Sequence, residues 1–173
     1  MSIITKRGDD GETDAMYGGR LSKNAPGVVA CGDVDELNAA LGLLRVSGIS
    51  DKLVGQIDTV QGHLVALMGL LSVPAKKRDK YLADGFPSIG VEEVEWLEEI
   101  AVEMPRDLGG WARPGASGGE PAARMDMART ICRRAERSAW MVEDVSQEAC
   151  RFLNRLSDVL WLWAREIETE SSF

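Results

Sequence analysis

The sequence predicts an all-α protein, an antiparallel five-helix bundle, on three observations. Leucine, alanine, valine and methionine recur three and four residues apart in several long blocks. No block alternates apolar and polar residues with the period of two that a half-buried strand needs. The joints between blocks are mostly short, which makes neighbouring helices antiparallel. With 173 residues and no internal repeat, the chain is most simply one domain, residues 1–173. A chain of that size buries roughly 70% of the surface its unfolded form exposes, enough for a real core.

The first element is polar. TKRGDDGET, Thr5 to Thr13, has no apolar residue and neither a helical nor a strand period. It reads either as a frayed terminus or as a loop whose amides and cations wrap an anion. A first helix is predicted from about Pro26, a favoured first-turn proline, to about Val46, with Val34, Leu37, Leu41 and Leu44 as its stripe. The second covers about Asp51 to Ser72, with Leu53, Ile57, Val60, Leu64, Leu67 and Leu71 in its apolar set. Val73 to Gly90 reads as a surface connection. A third helix spans about Val91 to Glu103 and carries Val94, Leu97 and Ala101. Pro105 to Ala122 is too rich in proline and glycine for regular structure. The last two helices cover about Ala123 to Glu143 and Ser146 to Glu168.

Composition narrows the function. A net charge of −8 argues against nucleic acid or an anionic membrane as partner, since both select a basic surface. No apolar run approaches the roughly 20 residues of a membrane span, and the N-terminus lacks a signal-peptide core. Cys31, Cys132 and Cys150 are odd in number and widely spaced, which fits neither a disulfide framework nor a zinc site. A reduced, cytoplasmic compartment is the expectation. The single histidine, His63, excludes a di-iron site built on two Glu-x-x-His helices, and no GxxxxGK[ST] stretch supports a P-loop.

Charge is distributed unevenly. ARMDMARTICRRAER, Ala123 to Arg137, holds five arginines against two acids, +3 within a chain of −8. At 100° per residue Arg129, Arg133 and Glu136 share a stripe with Arg137 beside them, while Ala128, Cys132, Ala135 and Ala139 line the opposite side. This is either a solvated face of Arg–Glu pairs or a recognition face; arginine at all five positions suits bidentate contact with carboxylate or phosphate. Asp35, Asn38 and Gly42 form a polar line on the first helix. On the last helix Leu153, Leu156, Leu160 and Trp163 make a seam, and Asn154, Asp158, Trp161 and Arg165 occupy another face.

Taken in order, TKRGDDGET, GGRLSKNAP, CGDVDELNAALGLLR, ARTICRRAER and RFLNRLSDVLWLWAR resemble the signature blocks of the PduO-type ATP:cob(I)alamin adenosyltransferases. Each block alone is weak, but five in the right order and spacing bracket nearly the whole chain. The resemblance implies a homotrimer with an active site at each subunit boundary. There, residues 1–25 would be a nucleotide-binding loop and residues 26–171 the bundle. Thr5, Lys6, Arg7 and Gly8, with Thr13 and Asp14, would hold ATP, and Lys23 would reach its phosphates. Arg133, Arg134, Glu136, Arg137 and Asn154 would complete the ATP site. Asp35 and Arg129 match a pair that meets across the subunit interface, with Asp35 expected to be buried.

The implied reaction is displacement at the ribose C5′ by cob(I)alamin, itself a strong carbon nucleophile, with Mg2+ bridging phosphate oxygens. No general base is needed; alignment and charge stabilisation are. A supplier of electrons such as a flavin-type reductase and a consumer that depends on adenosylcobalamin are the implied partners. The chain departs from the family at WARPGASGG, where Trp111 is either the counterpart of the usual lower-face phenylalanine or a loop tryptophan covering the bundle end, and at Met125-Asp126, which replaces the usual Leu-His pair. Those departures keep open a non-catalytic escort or sensor that binds ATP and corrinoid on the same bundle.

Overall fold

The structure is a computed structural model, and it describes residues 4–105 and 113–170. Two short strands, β1 (Glu12–Asp14) and β2 (Arg20–Ser22), pair antiparallel with Thr13 opposite Leu21. The helices that follow are α1 (Pro26–Arg45), α2 (Asp51–Leu71), α3 (Arg78–Ala83), α4 (Val91–Glu103), α5 (Gly119–Ala139) and α6 (Gln147–Glu170), with a 3-10 turn at Ala75–Lys77. The protein is therefore mostly helical, with five long helices and one of six residues among the described residues.

Inter-helix bonds set the directions. Cys31 Sγ reaches the Met68 carbonyl, Gln61 donates to the Asn38 carbonyl, and Arg45 pairs with Asp58, so α1 and α2 run antiparallel. Cys132 Sγ against the Leu153 carbonyl and Arg165 against Asp126 do the same for α5 and α6. Every residue of the predicted stripes on α1, α2 and α6 is buried, as are Ala128, Cys132, Ala135 and Ala139 of α5. Four small side chains let α5 lie close to both α1 and α6, where bulkier ones would hold the helices apart. Ser50 caps α2 by accepting from the Leu53 amide, and Glu93 closes α4 by accepting from the Gly90 amide.

Three expectations are corrected. The polar opening leads into a hairpin rather than remaining irregular. Its pairing has no apolar alternation to announce it, because it is organised by charge: Arg20 on β2 faces Asp10, Glu12 and Asp14. The connection from Val73 to Gly90 contains α3, whose Tyr81 is buried with Leu70 and Val73 and packed by Met16 and Tyr17 of the hairpin. Tyr81 enters because Gly69 has no side chain; a Cβ there would lie 2.3 Å from the Tyr81 hydroxyl. Finally, α5 begins at Gly119, four residues before the predicted Ala123, since Pro121 falls in its first turn, where no amide is required of it. No single helix is long and apolar enough to cross a membrane among the described residues.

At the crossing of α1 with the end of α2, a Cβ on Gly27 would sit 2.6 Å from the Leu71 carbonyl oxygen, whereas Gly55 on α2 faces open space. Gly27→Ala is expected to destabilise the fold by about 1–3 kcal/mol through forced separation of the two backbones. Gly55→Ala should instead stabilise it by roughly 0.5–1 kcal/mol, because alanine loses less backbone freedom in a helix. Urea unfolding of both variants at matched protein concentration checks the opposite signs.

Candidate functional site

The site residues fall on two surfaces. The first is the loop that leads into the hairpin. Lys6 and Gly11 take positive φ, +59° and +81°, and turn the chain back on itself with Asp9 and Gly11 amides bonded to the Lys6 and Gly8 carbonyls. Lys23, just past β2, donates from Nζ to the Gly8 carbonyl at 2.6 Å, and Arg7 pairs with Asp14 at 2.8 Å. The structure thus brings together Arg7, Gly8, Asp14 and Lys23, four residues separated by up to sixteen positions in the chain. Thr5, Lys6 and Asp14 are exposed and Thr13 is half-buried within β1.

Arg20 holds this loop and was not singled out in the sequence. Its guanidinium contacts Asp10 at 2.8 Å, Glu12 at 3.0 Å and the Arg7 carbonyl at 2.7 Å. The Asp10 carboxyl is held below the ordinary carboxylate range, first by the Glu12 amide and also by Arg20. The legible signal was four acids within six residues of a loop, Asp9, Asp10, Glu12 and Asp14, which demand a central cation.

At the hairpin's turn, Tyr17 sits in the left-handed region at φ +65°, followed by Gly18 and Gly19. Its hydroxyl donates to Asp84 at 2.7 Å and Lys80 lies 4.9 Å from its ring, so the hairpin is tied to α3. Desolvation, followed by the Asp84 hydrogen bond, pushes the Tyr17 phenol up to about 12.

The second surface is the outer side of α5 and α6. Glu136 accepts from Asn154 Nδ2 at 3.2 Å, uniting two predicted residues from different helices. Arg133 and Arg137 are exposed; Arg137 bonds only to the Arg133 carbonyl among the described residues. Arg134 is turned away from them. It pairs with Asp33 at 3.0 Å and with Glu36, both on α1, while Ser138 donates to the other Asp33 oxygen at 2.5 Å. These carboxylates raise the Arg134 pKa further and commit its guanidinium to the α1–α5 seam.

Arg129 donates from Nε to Asp126 at 3.2 Å within its own helix. Asp35, expected to meet Arg129 across a subunit boundary, is exposed within the single chain. The reason is angular: Asp33 faces α5, and a residue two positions on points roughly 200° away. Nearby, Asn38 Oδ1 is buried without a partner among the described residues. Trp111 lies outside the described residues.

No hydrogen bond or ion pair joins residues 5–25 to the arginines of α5 among the described residues. A cavity of about 520 Å³ does lie at the hairpin's base, edged by Leu21, Pro26, Val73, Arg78, Met141 and Asp144, but it contains none of the predicted site residues. The two surfaces therefore face solvent separately, and Met127 on α5, with Trp140 and Met141 just past its end, are exposed apolar residues.

Other reactive groups are withdrawn. His63 is wedged between the Trp96 and Phe152 rings, each 5.6 Å away, and burial lowers its pKa. Burial also raises all three thiols, Cys150 to about 11. The thiols therefore stay protonated near neutral pH, and the His63 ring is held by its aromatic neighbours. Among the described residues no group of three or more His, Cys, Asp or Glu could hold a metal ion.

Comparison with known proteins agrees along the length of the chain. The family model described as cobalamin adenosyltransferase matches residues 3–167. A cobalamin adenosyltransferase of Cupriavidus metallidurans is 36% identical over 167 residues, covering 94% of this chain and 86% of that protein. A corrinoid adenosyltransferase of Bacillus subtilis is 33% identical, covering 99% of this chain and 89% of its own length. Among solved structures, a variant of the PduO-type ATP:corrinoid adenosyltransferase from Lactobacillus reuteri, complexed with cobalamin and ATP, aligns with a TM-score of 0.83 at 31% identity, over 97% of this chain and 94% of that one. With a family match over residues 3–167 and relatives more than 30% identical along nearly its whole length, this chain belongs to the cobalamin adenosyltransferase family.

Proposed function

We propose that this protein transfers the 5′-deoxyadenosyl group of ATP to cob(I)alamin, giving adenosylcobalamin and triphosphate. The observation that carries the reading is the presence, in a chain of this family, of both a loop bearing Arg7 and Lys23 and an outward arginine face on α5. The nucleophile is the cobalt of the corrinoid, so the bond formed is cobalt to C5′ and the bond broken is C5′ to the triphosphate oxygen. Nothing in that step calls for a protein base, which accords with the withdrawn His63 and thiols.

What the protein must provide is a fixed geometry and donors aimed at the leaving triphosphate. Lys23 and the backbone of Gly8 provide one side, while Arg133, Arg137 and the Glu136–Asn154 pair provide the other. Magnesium enters as part of the nucleotide substrate, retaining phosphate oxygens and water as ligands.

Because the two surfaces do not meet within one chain, the site is completed by a second copy. The loop of one protomer would close on α5 of its neighbour, and Asp35 would there find Arg129. Exposed Met127, Trp140 and Met141 give such a boundary apolar area to bury. A homotrimer, with three such sites, is the assembly that the family resemblance implies. A reductase supplying cob(I)alamin and an enzyme consuming the coenzyme are its natural neighbours, in the cytoplasm.

Three outcomes are expected. Anaerobic cob(I)alamin mixed with protein and MgATP should develop adenosylcobalamin absorption with stoichiometric triphosphate; binding of both substrates without turnover would assign an escort or sensor instead.

Arg133→Ala and Arg137→Ala should each weaken ATP binding by about 1.5–3 kcal/mol, the range for a charge-assisted hydrogen bond. Arg134→Ala should leave ATP affinity near that of the parent and lower the melting temperature, since its guanidinium joins α5 to α1. Isothermal titration and thermal unfolding distinguish the two effects.

Trp111→Ala should slow turnover from cob(II)alamin with a reductant far more than turnover from chemically prepared cob(I)alamin. Equal losses would remove Trp111 from the lower corrinoid face.

A further inference from the structure

The described residues contain one buried cluster of charge, at the α5–α6 contact. Asp126 is 3% exposed and Arg165 2% exposed. Asp126 Oδ2 accepts from Arg165 Nη2 at 2.7 Å, and its other oxygen, Oδ1, accepts from Arg129 Nε at 3.2 Å. Arg165 also donates from Nη2 to Glu168 Oε1 at 2.9 Å, with Nε 2.7 Å from Oε2 as an ion-pair contact that lacks hydrogen-bond alignment, and the Trp161 ring lies 5.6 Å from its Cζ. Two carboxylates thus face two guanidinium groups, the condition for tolerating charge out of water.

The partners are not equivalent. Arg165 is enclosed on all sides, but the Arg129 side chain retains 25% of its exposure. Only Nε of Arg129 is engaged among the described residues, which leaves the four Nη hydrogens of its fork free to face outward. An exposed arginine pair three residues apart on a helix would hold little geometry. Here the carboxylate cannot swing away, because its second oxygen is locked by a buried guanidinium on another helix. We propose that Asp126 is the positioning residue of the adenosyl-transfer site: anchored from behind by Arg165, it grips Arg129 at Nε and presents the Nη edge to the neighbouring protomer and the reactants. The inference rests on the reading of Arg129 as a reaction-site residue. Asp126 itself touches no substrate; it acts by removing rotamer freedom from Arg129 before the partners arrive.

The test uses the full chain with MgATP and chemically prepared cob(I)alamin. Asp126→Asn should reduce kcat about 10- to 100-fold, the scale of a misplaced catalytic group, while KM for ATP stays within about threefold. Combined with Arg129→Lys, which cannot offer the same fork, Asp126→Asn should add little further loss. Wild-type kcat per folded molecule in Asp126→Asn, or fully additive losses in the double variant, would overturn the proposal. A measurement on the parent protein covers the case where Asp126→Asn fails to fold: by side-chain nitrogen NMR, the Arg129 Nε–H should exchange with water much more slowly than that of exposed Arg133. Equal exchange rates would refute the grip without any variant. If the parent protein transfers no adenosyl group, the functional reading fails, whereas the exchange rates still decide whether Asp126 holds Arg129.

Discussion

The contact of α5 with α1 and α6 is the constraint from which the rest follows. Ala128, Cys132, Ala135 and Ala139 are fully buried, and their small volumes set how closely the three helices approach. Rotating α5 by one residue would move that stripe by roughly 100° and drive arginines into the core, where unpaired charge is prohibitive. The rotation is therefore fixed by what α5 can bury and what it must keep out of the core. Once it is fixed, the direction of each arginine is settled: Arg134 meets α1, Arg129 meets Asp126, and Arg133 and Arg137 face out. The buried face of α5 thus decides which guanidinium groups are structural and which are presented.

The hairpin stands at the other extreme of stability. Its internal pairs are exposed, and exposed ion pairs contribute on the order of 0–1 kcal/mol each. Its attachment to the body is instead the contact of Met16 and Tyr17 with Leu70, Val73 and Tyr81. Few buried contacts and solvent-exposed bonds place such an element at the low end of local stability. The Tyr17–Asp84 bond nonetheless keeps it near the bundle. Anchoring at the turn and freedom at the loop are compatible because they lie at opposite ends of the hairpin.

Much of the fold was legible. The bounds of α1, α2 and α4, and the buried stripes of α1, α2, α5 and α6, follow from three- and four-residue spacing, because a helix must hide its apolar face whatever it packs against. The hairpin and α3 were not. Three-residue strands have too few positions for a period, and pairing by charge leaves no apolar mark. Tyr81 becomes a core residue only because Gly69, twelve positions earlier, leaves room for its ring.

By itself the sequence determined the helical class, the apolar seams and the family, since order and spacing of the blocks are properties of the chain as written. Which residues share a site was decided in three dimensions. Arg134 and its acids are 98 and 101 positions apart, and Asp126 meets Arg165 across 39. Periodicity reports the side of a helix on which a residue lies, not what stands opposite. Four arginines that look alike in one dimension, Arg129, Arg133, Arg134 and Arg137, therefore part into a gripped fork, an open face and a strut according to what α1 and α6 set beside them.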